Sequence, residues 1–120
     1  MIDLIPSLPA NVVGFVASGQ VTASDYESVL IPAIQSRLQH HEKVRVLYQL
    51  GPRFSGFSAG AMWDDAKLGF AHLNAWEKIA IVTDVDWIES AIGIFKFAIP
   101  CPIKIFSNSH YTRAETWIAD

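Results

Sequence analysis

Ile79-Ala80-Ile81-Val82-Thr83, followed directly by Asp84-Val85-Asp86-Trp87-Ile88, is the stretch on which the fold turns. The first five residues are β-favouring and show no helical spacing, so they read as a strand. Asp84 then stands where a helix N-cap belongs, and the apolar residues after it recur at helical intervals as far as about Ile99. Strand, short polar stop and helix in immediate succession form one half of a strand–helix–strand unit.

The same unit repeats outward in both directions. Upstream, Val44 to Leu50 is a second nearly continuous apolar run, as a buried parallel strand would show. Gly51 to Phe57 reads as a loop. Ser58 can cap a helix carrying Met62, Trp63, Ala66 and Phe70 on one face. Before these, Thr22-Ala23-Ser24-Asp25 resembles a capping box with Asp in the Glu position. Tyr26, Val29, Leu30, Ala33, Ile34 and Leu38 form the apolar stripe of the helix it opens, and Pro32 predicts a kink inside it. Met1 to Ile5 and Val12 to Gly19 are two strands joined through Pro6-Ser7-Leu8-Pro9, a connection that predicts antiparallel pairing. Downstream, Pro102 to Phe106 is a last short strand. Thr112 and Glu115 are spaced as a capping box for a final helix with Ala114, Trp117 and Ile118 inward. The alternation predicts an α/β domain: five strands in a mixed, mostly parallel sheet with about four helices. Strand order is not readable at this level.

The chain has 120 residues, which predicts a single domain over 1–120. Hydrophobic residues make up 51% and charged residues 18%, a composition that excludes a disordered chain. Net charge is −3 with no basic tract, so no nucleic-acid partner is expected. No apolar run approaches the roughly 20 residues of a membrane span. Met1-Ile2-Asp3-Leu4 carries an acid and no basic segment, so the expectation is a cytoplasmic protein without a signal peptide.

Candidate chemistry is sparse. Gly51 to Ser58 matches Gly-x4-Gly-x-Ser, but Phe57 stands where a phosphate-binding loop needs Lys, so nucleotide hydrolysis is not predicted. Gly56-Phe57-Ser58-Ala59-Gly60 fits Gly-x-Ser-x-Gly, and Asp84 and His110 follow in the order of an α/β-hydrolase triad. Against that reading, Ser58 lies eight positions beyond Leu50, too far for a direct strand-to-helix elbow, and N-capping accounts for Ser58 and Asp84 equally well. Asp64 and Lys67 read as a pair on a solvated helix face. His40 and His41 are adjacent and point differently, while Asp65 and His72 lie two turns apart, so no metal ligand set and no cofactor are predicted. Cys101, flanked by prolines, reads as structural. The third helix is the unusual segment. Ile88, Ala91, Ile92, Phe95 and Ile99 form one stripe, Trp87 and Ile94 widen it, and Phe97 lies nearly opposite. One stripe suffices to cover a sheet. The excess needs a second copy of the chain, an apolar ligand or a membrane surface to cover it.

Gly60-Ala61-Met62-Trp63-Asp64-Asp65-Ala66-Lys67-Leu68-Gly69, Ile81 to Ile88, and Val29-Leu30-Ile31-Pro32-Ala33 together resemble the SpoIIAA-like family of bacterial STAS-type domains. The resemblance spans almost the whole chain. It implies a STAS-like sandwich, related in shape to the CRAL-TRIO lipid carriers, and a non-enzymatic protein that binds nonpolar ligands and associates with membranes. STAS anti-sigma-factor antagonists carry a phosphorylatable Ser in an Asp-Ser-Ser-Gly context at the start of the second helix. Phe57-Ser58-Ala59-Gly60 occupies that place, making Ser58 the regulatory candidate, although the Asp is absent and Ser58 is displaced by one position. The expectation is therefore a binding module for a nonpolar small molecule or lipid. Met62 and Trp63 would line one wall of the site, with Trp87, Ile88, Ile92 and Phe95 on the other. A STAS-type protein-interaction module is the alternative, and a hydrolase built on Ser58, Asp84 and His110 the third reading.

Overall fold

The computed structural model describes residues 1–71, 74–95 and 99–120, without the side chains of 66, 68–71, 94 and 95. Its five strands are β1 (Ile2–Ile5), β2 (Val12–Val21), β3 (Val44–Phe57), β4 (Trp76–Val82) and β5 (Ile103–Phe106). They lie in the order β1-β2-β3-β4-β5. β1 pairs antiparallel with β2, and the remaining pairings are parallel. Helix α1 covers residues 23–38, α2 is Ala59–Ala71, α3 is Asp86–Phe95 and α4 is Tyr111–Ala119.

A sequential parallel order has a consequence for layers. Crossovers between parallel strands are right-handed, so α1, α2 and α3 must all fall on one face of the sheet. Only α4, which follows the last strand, is free to cover the other. The core divides accordingly. Tyr26, Leu30 and Ile34 of α1, Ala61 of α2 and Ile88 of α3 pack with Val13, Phe15, Val46, Tyr48 and Leu50. Ala114 and Ile118 of α4 pack with Val12, Leu47, Ala80 and Val82 on the opposite face. Residues 12 and 13, like 46 and 47, go to opposite sides, as the period-two geometry of a strand requires.

Several local expectations hold. Thr22 donates its backbone N–H to Asp25 Oδ2 at 2.8 Å, and Asp25 donates its own to Thr22 Oγ1 at 3.4 Å, forming the capping box of α1. The irregularity expected at Pro32 lies just before it, as a π turn over Tyr26–Leu30 in which Ile31 N–H reaches Tyr26 O. Proline supplies no N–H and its ring crowds the carbonyl four residues back, so widening the preceding turn relieves both without ending the helix.

Others are corrected. Gly51 to Phe57 is not a loop. β3 runs through it, pairing Gly19 with Phe54, Gln20 with Gly56 and Val21 with Phe57 across two register shifts. Pairing with β4 ends at Gln49 and Val82, so beyond that point β3 has an open side. Pro52 is tolerated there because an edge needs no second donor. Gly19 and Gly56 take φ values of 60° and 146°, which let the ribbon bend. Thr112 is not a helix cap: a 3-10 turn over Asn108–His110 leads into α4, whose N-cap position is His110. The third helix stops short of Ile99, which lies in a bend. Lys96, Phe97 and His72 fall outside the described residues, as do the side chains of Ala66, Phe70, Ile94 and Phe95.

Candidate functional site

Candidate side chains gather in three regions: the Ser58 junction, the groove at the ends of β4 and β5, and the inner side of α2.

At the junction, Val21 O accepts the Ser58 N–H, and the Ser58 Oγ accepts the Ala61 N–H at 3.1 Å. Ser58 is therefore the N-cap of α2, as expected. Because β3 extends to Phe57, the strand passes directly into the helix, and the eight-residue separation expected between strand and Ser58 does not exist. The triad is nonetheless not brought together. Asp84 accepts from both the backbone N–H and the Nδ2 of Asn108, at 3.2 and 2.9 Å. It is thus tied to the turn that leads into α4 rather than capping α3, where Thr83 Oγ1 accepts the Val85 N–H instead. His110 Nδ1 meets Ser107 Oγ at 3.3 Å. Asp84 and His110 do share a groove of about 650 Å³ with Asp86, Glu89, Lys104 and Arg113, but Ser58 is not part of its wall. Charges of both signs gather in that groove, with Ile105, Phe106 and Trp117 also in its wall. The phosphate-loop spacing also carries no chemistry, since its residues are extended strand.

The apolar candidates separate into two groups. Met62, Trp63 and Trp87 are exposed, while Ile88 is buried and Ile92 packs partly against the core. Phe95 lies at the end of α3 with its side chain outside the described set. Met62 and Trp63 thus do not form a wall facing the sheet, as the sequence reading had it. The inner face of α2 starts from the wholly buried Ala61, and at Gly60 beside it the helix comes close to α1. A Cβ added at Gly60 would stand 3.0 Å from the Cβ of Ala23. On the α3 side, Trp87 meets Phe57 edge-on at 6.3 Å between ring centroids, and Phe57 meets Phe54 at 4.9 Å. Exposed Trp87 therefore continues a row of rings along the free end of β3.

The inner side of α2 holds the residues that sequence reasoning missed. The wholly buried Tyr26 donates its hydroxyl to Asp65 Oδ1 at 2.8 Å, and the Tyr48 hydroxyl lies 3.2 Å from that of Tyr26. Tyr26 has one proton, and it goes to Asp65, so Tyr48 must donate to Tyr26. Burial raises both tyrosines, and the Asp65 carboxylate raises Tyr26 further. Burial also raises Asp65 itself, against the Tyr26 hydrogen bond that lowers it. Beside it, Asp64 is buried rather than solvated. Its Oδ1 lies 3.4 Å from Lys67 Nζ, and its Oδ2 has no partner. The available signal was spacing: residues 61 and 65 lie one turn apart, so whatever side holds Ala61 also holds Asp65.

Cys101 is half-buried, and burial pushes its thiol up, which leaves little thiolate for chemistry. Among the described residues, no three His, Cys, Asp or Glu side chains are grouped to hold a metal. No helix among them is long and apolar enough to cross a membrane.

Comparison with known proteins follows the architecture. The family model described as SpoIIAA-like matches residues 12–119. A crystal structure of an uncharacterised protein of the DUF3478 family, with a SpoIIAA-like fold, from Shewanella loihica superposes with a TM-score of 0.78. It is 27% identical, over 98% of this chain and 92% of that one. A search of curated proteins finds no match.

Proposed function

The chain belongs to the SpoIIAA-like family, and from that premise we propose a non-enzymatic binding module for a nonpolar small molecule or lipid, able to touch membrane surfaces peripherally. The observation that carries the reading is the exposed aromatic surface. Trp63 and Trp87 are 66% and 50% accessible, Met62 lies beside Trp63, and the Phe54 and Phe57 rings run up to Trp87. Large side chains of this kind lose favourable burial when left in water. An amphipathic indole suits a surface that meets apolar matter on one side and water on the other.

The test is a double substitution, Trp63→Ser with Trp87→Ser. Both positions are exposed, so the melting temperature should hold while binding to an apolar fluorescent probe and flotation with phospholipid vesicles fall together. Unchanged binding in the double variant, or no binding by the wild type, overturns the reading. Size-exclusion chromatography on the same pair checks whether a second copy covers this surface instead.

A protein-interaction module of the STAS regulatory type is the second reading, and the Ser58 junction favours it. A phosphate on Ser58 would sit at the N-terminus of α2, where the helix dipole stabilises an anion. Under that reading Ser58→Asp abolishes capture of a protein partner while the fold persists, whereas the nonpolar-ligand reading leaves apolar binding unchanged.

A further inference from the structure

Each parallel strand of the sheet ends in a turn that delivers the chain to a helix. After β2, β3 and β4 the turns lead to α1, α2 and α3, which pack on one face. After β5 the turn leads to α4 on the other face. Only between β4 and β5 do neighbouring turns leave in opposite directions. Such a parting opens a crevice beyond the carboxyl ends of the strands, the usual place for a ligand in an open α/β sheet. The groove of about 650 Å³ lies at this parting, with one lip from residues 83–89 and the other from 104–117. Its volume is that of a small-molecule site. Asn108 ties the lips together at one end: it accepts from Gln49 Nε2 at 3.1 Å and donates to both Leu50 O and Asp84 Oδ2.

The lips carry opposite charge. Asp84, Asp86 and Glu89 stand on the β4–α3 side, Lys104 and Arg113 on the β5–α4 side. Among the described residues none of these five forms an ion pair, across the groove or elsewhere. Asp86 and Glu89 lie in the first turn of α3, where the helix dipole favours them. Arg113 lies in the first turn of α4, where the dipole opposes a cation, so its own helix does not account for it. Lys104 is held over the rings of Phe106 and Trp117, at 5.4 and 6.0 Å from their centroids, which keeps its charge on the same lip. A molecule with one charge is attracted by one lip and repelled by the other. A molecule with a charge of each sign satisfies both, and the apolar wall of Ile105, Phe106 and Trp117 suits a chain between them.

We propose that this groove binds a small zwitterion, an ammonium and a carboxylate joined by a short apolar chain as in an ω-amino acid. The ammonium faces Asp86 and Glu89, and the carboxylate faces Lys104 and Arg113. The site is separate from the aromatic surface and does not depend on the nonpolar-ligand reading.

4-Aminobutanoate, 6-aminohexanoate and 8-aminooctanoate span a range of charge separations, with hexanoate and hexylammonium as single-charge controls. Each is titrated into isotope-labelled protein at neutral pH and low salt, and the amide shifts of residues 83–89 and 104–113 are followed. The best-fitting zwitterion should move these amides and bind at least about tenfold more tightly than either control. Arg113→Gln and Glu89→Gln alter exposed side chains, so the fold should hold while each brings the zwitterion down to the level of the controls. Equal affinity for the zwitterion and hexanoate would make the groove a plain anion site. A preference that survives both variants would place binding elsewhere. Either result overturns the proposal, as does the absence of shifts with all three zwitterions.

Discussion

The two faces of the sheet are built on different terms. Beneath α4 the contacts are apolar and close: Ala80 and Ala114 are wholly buried, and Ile118 fills the space between Val12, Leu47 and Val82. Leu8 closes the margin by resting on Gly14, where an added Cβ would come within 2.5 Å of its Cδ1. The end of α4 is then fixed from the sheet, with Arg45 donating to Ile118 O and Lys78 to Trp117 O, cations at the negative end of a helix dipole. Beneath α1, α2 and α3 the core is larger but includes two buried tyrosines and a carboxylate. One face is optimised for packing alone. The other holds polar groups in a defined place within an otherwise apolar core.

That contrast can be broken or sharpened by mutation. The largest effect should come from Ile118→Ala, which removes a fully buried side chain from the tight face and should cost about 2–5 kcal/mol by denaturant titration. Next is Tyr26→Phe on the other face. It deletes one oxygen, but strands the Asp65 carboxylate and the Tyr48 hydroxyl together, so a loss of about 1–3 kcal/mol is expected. A Tyr26→Phe protein as stable as the wild type would show that the polar array contributes nothing to folding and would erase the contrast.

The smallest effect is one of slope. Burial raises Asp65 in the folded state, so between the ordinary carboxylate range and its raised value the native protein holds a proton that the unfolded chain has released. Its contribution to stability therefore falls as pH rises through that window. Asp65→Asn should remove this fall, leaving the variant's advantage over wild type larger at neutral than at acid pH. Denaturant midpoints across the acid range measure it, and parallel curves for the two proteins would mean that Asp65 titrates as an ordinary surface acid.

The alternation of strands and helices, the Thr22 and Ser58 caps and the inward stripe of α1 were legible because each depends on residues within one or two turns. The misreadings share a cause of the opposite kind. Gly51, Pro52 and Gly56 look like a turn when read locally, and become strand because β2 is long enough to pair with them. Met62 and Trp63 look like the core face of α2 because they are apolar. The face is decided instead by the Gly60–Ala23 approach and the Tyr26 hydroxyl, both contributed by a helix far away in sequence. Asp84 looks like a cap, and Asn108 takes it. The STAS-type architecture was recognisable from short motifs, whereas the polar array joining Tyr26, Tyr48 and Asp65 carries no motif, since its members come from three separate elements.

The overhang of β3 beyond β4 also sorts the backbone in time. In a parallel ladder, alternate residues direct their N–H and C=O groups to opposite neighbours. Along the overhang one set reaches β2, while the set facing the other way has lost its strand. Leu50 O, at the start of this stretch, is taken up by the side-chain amide of Asn108. Beyond it, amide protons directed at β2 should persist in deuterated water while their alternate neighbours wash out early. A single strand would then carry two clocks, with the faster one beside the Phe54, Phe57 and Trp87 rings.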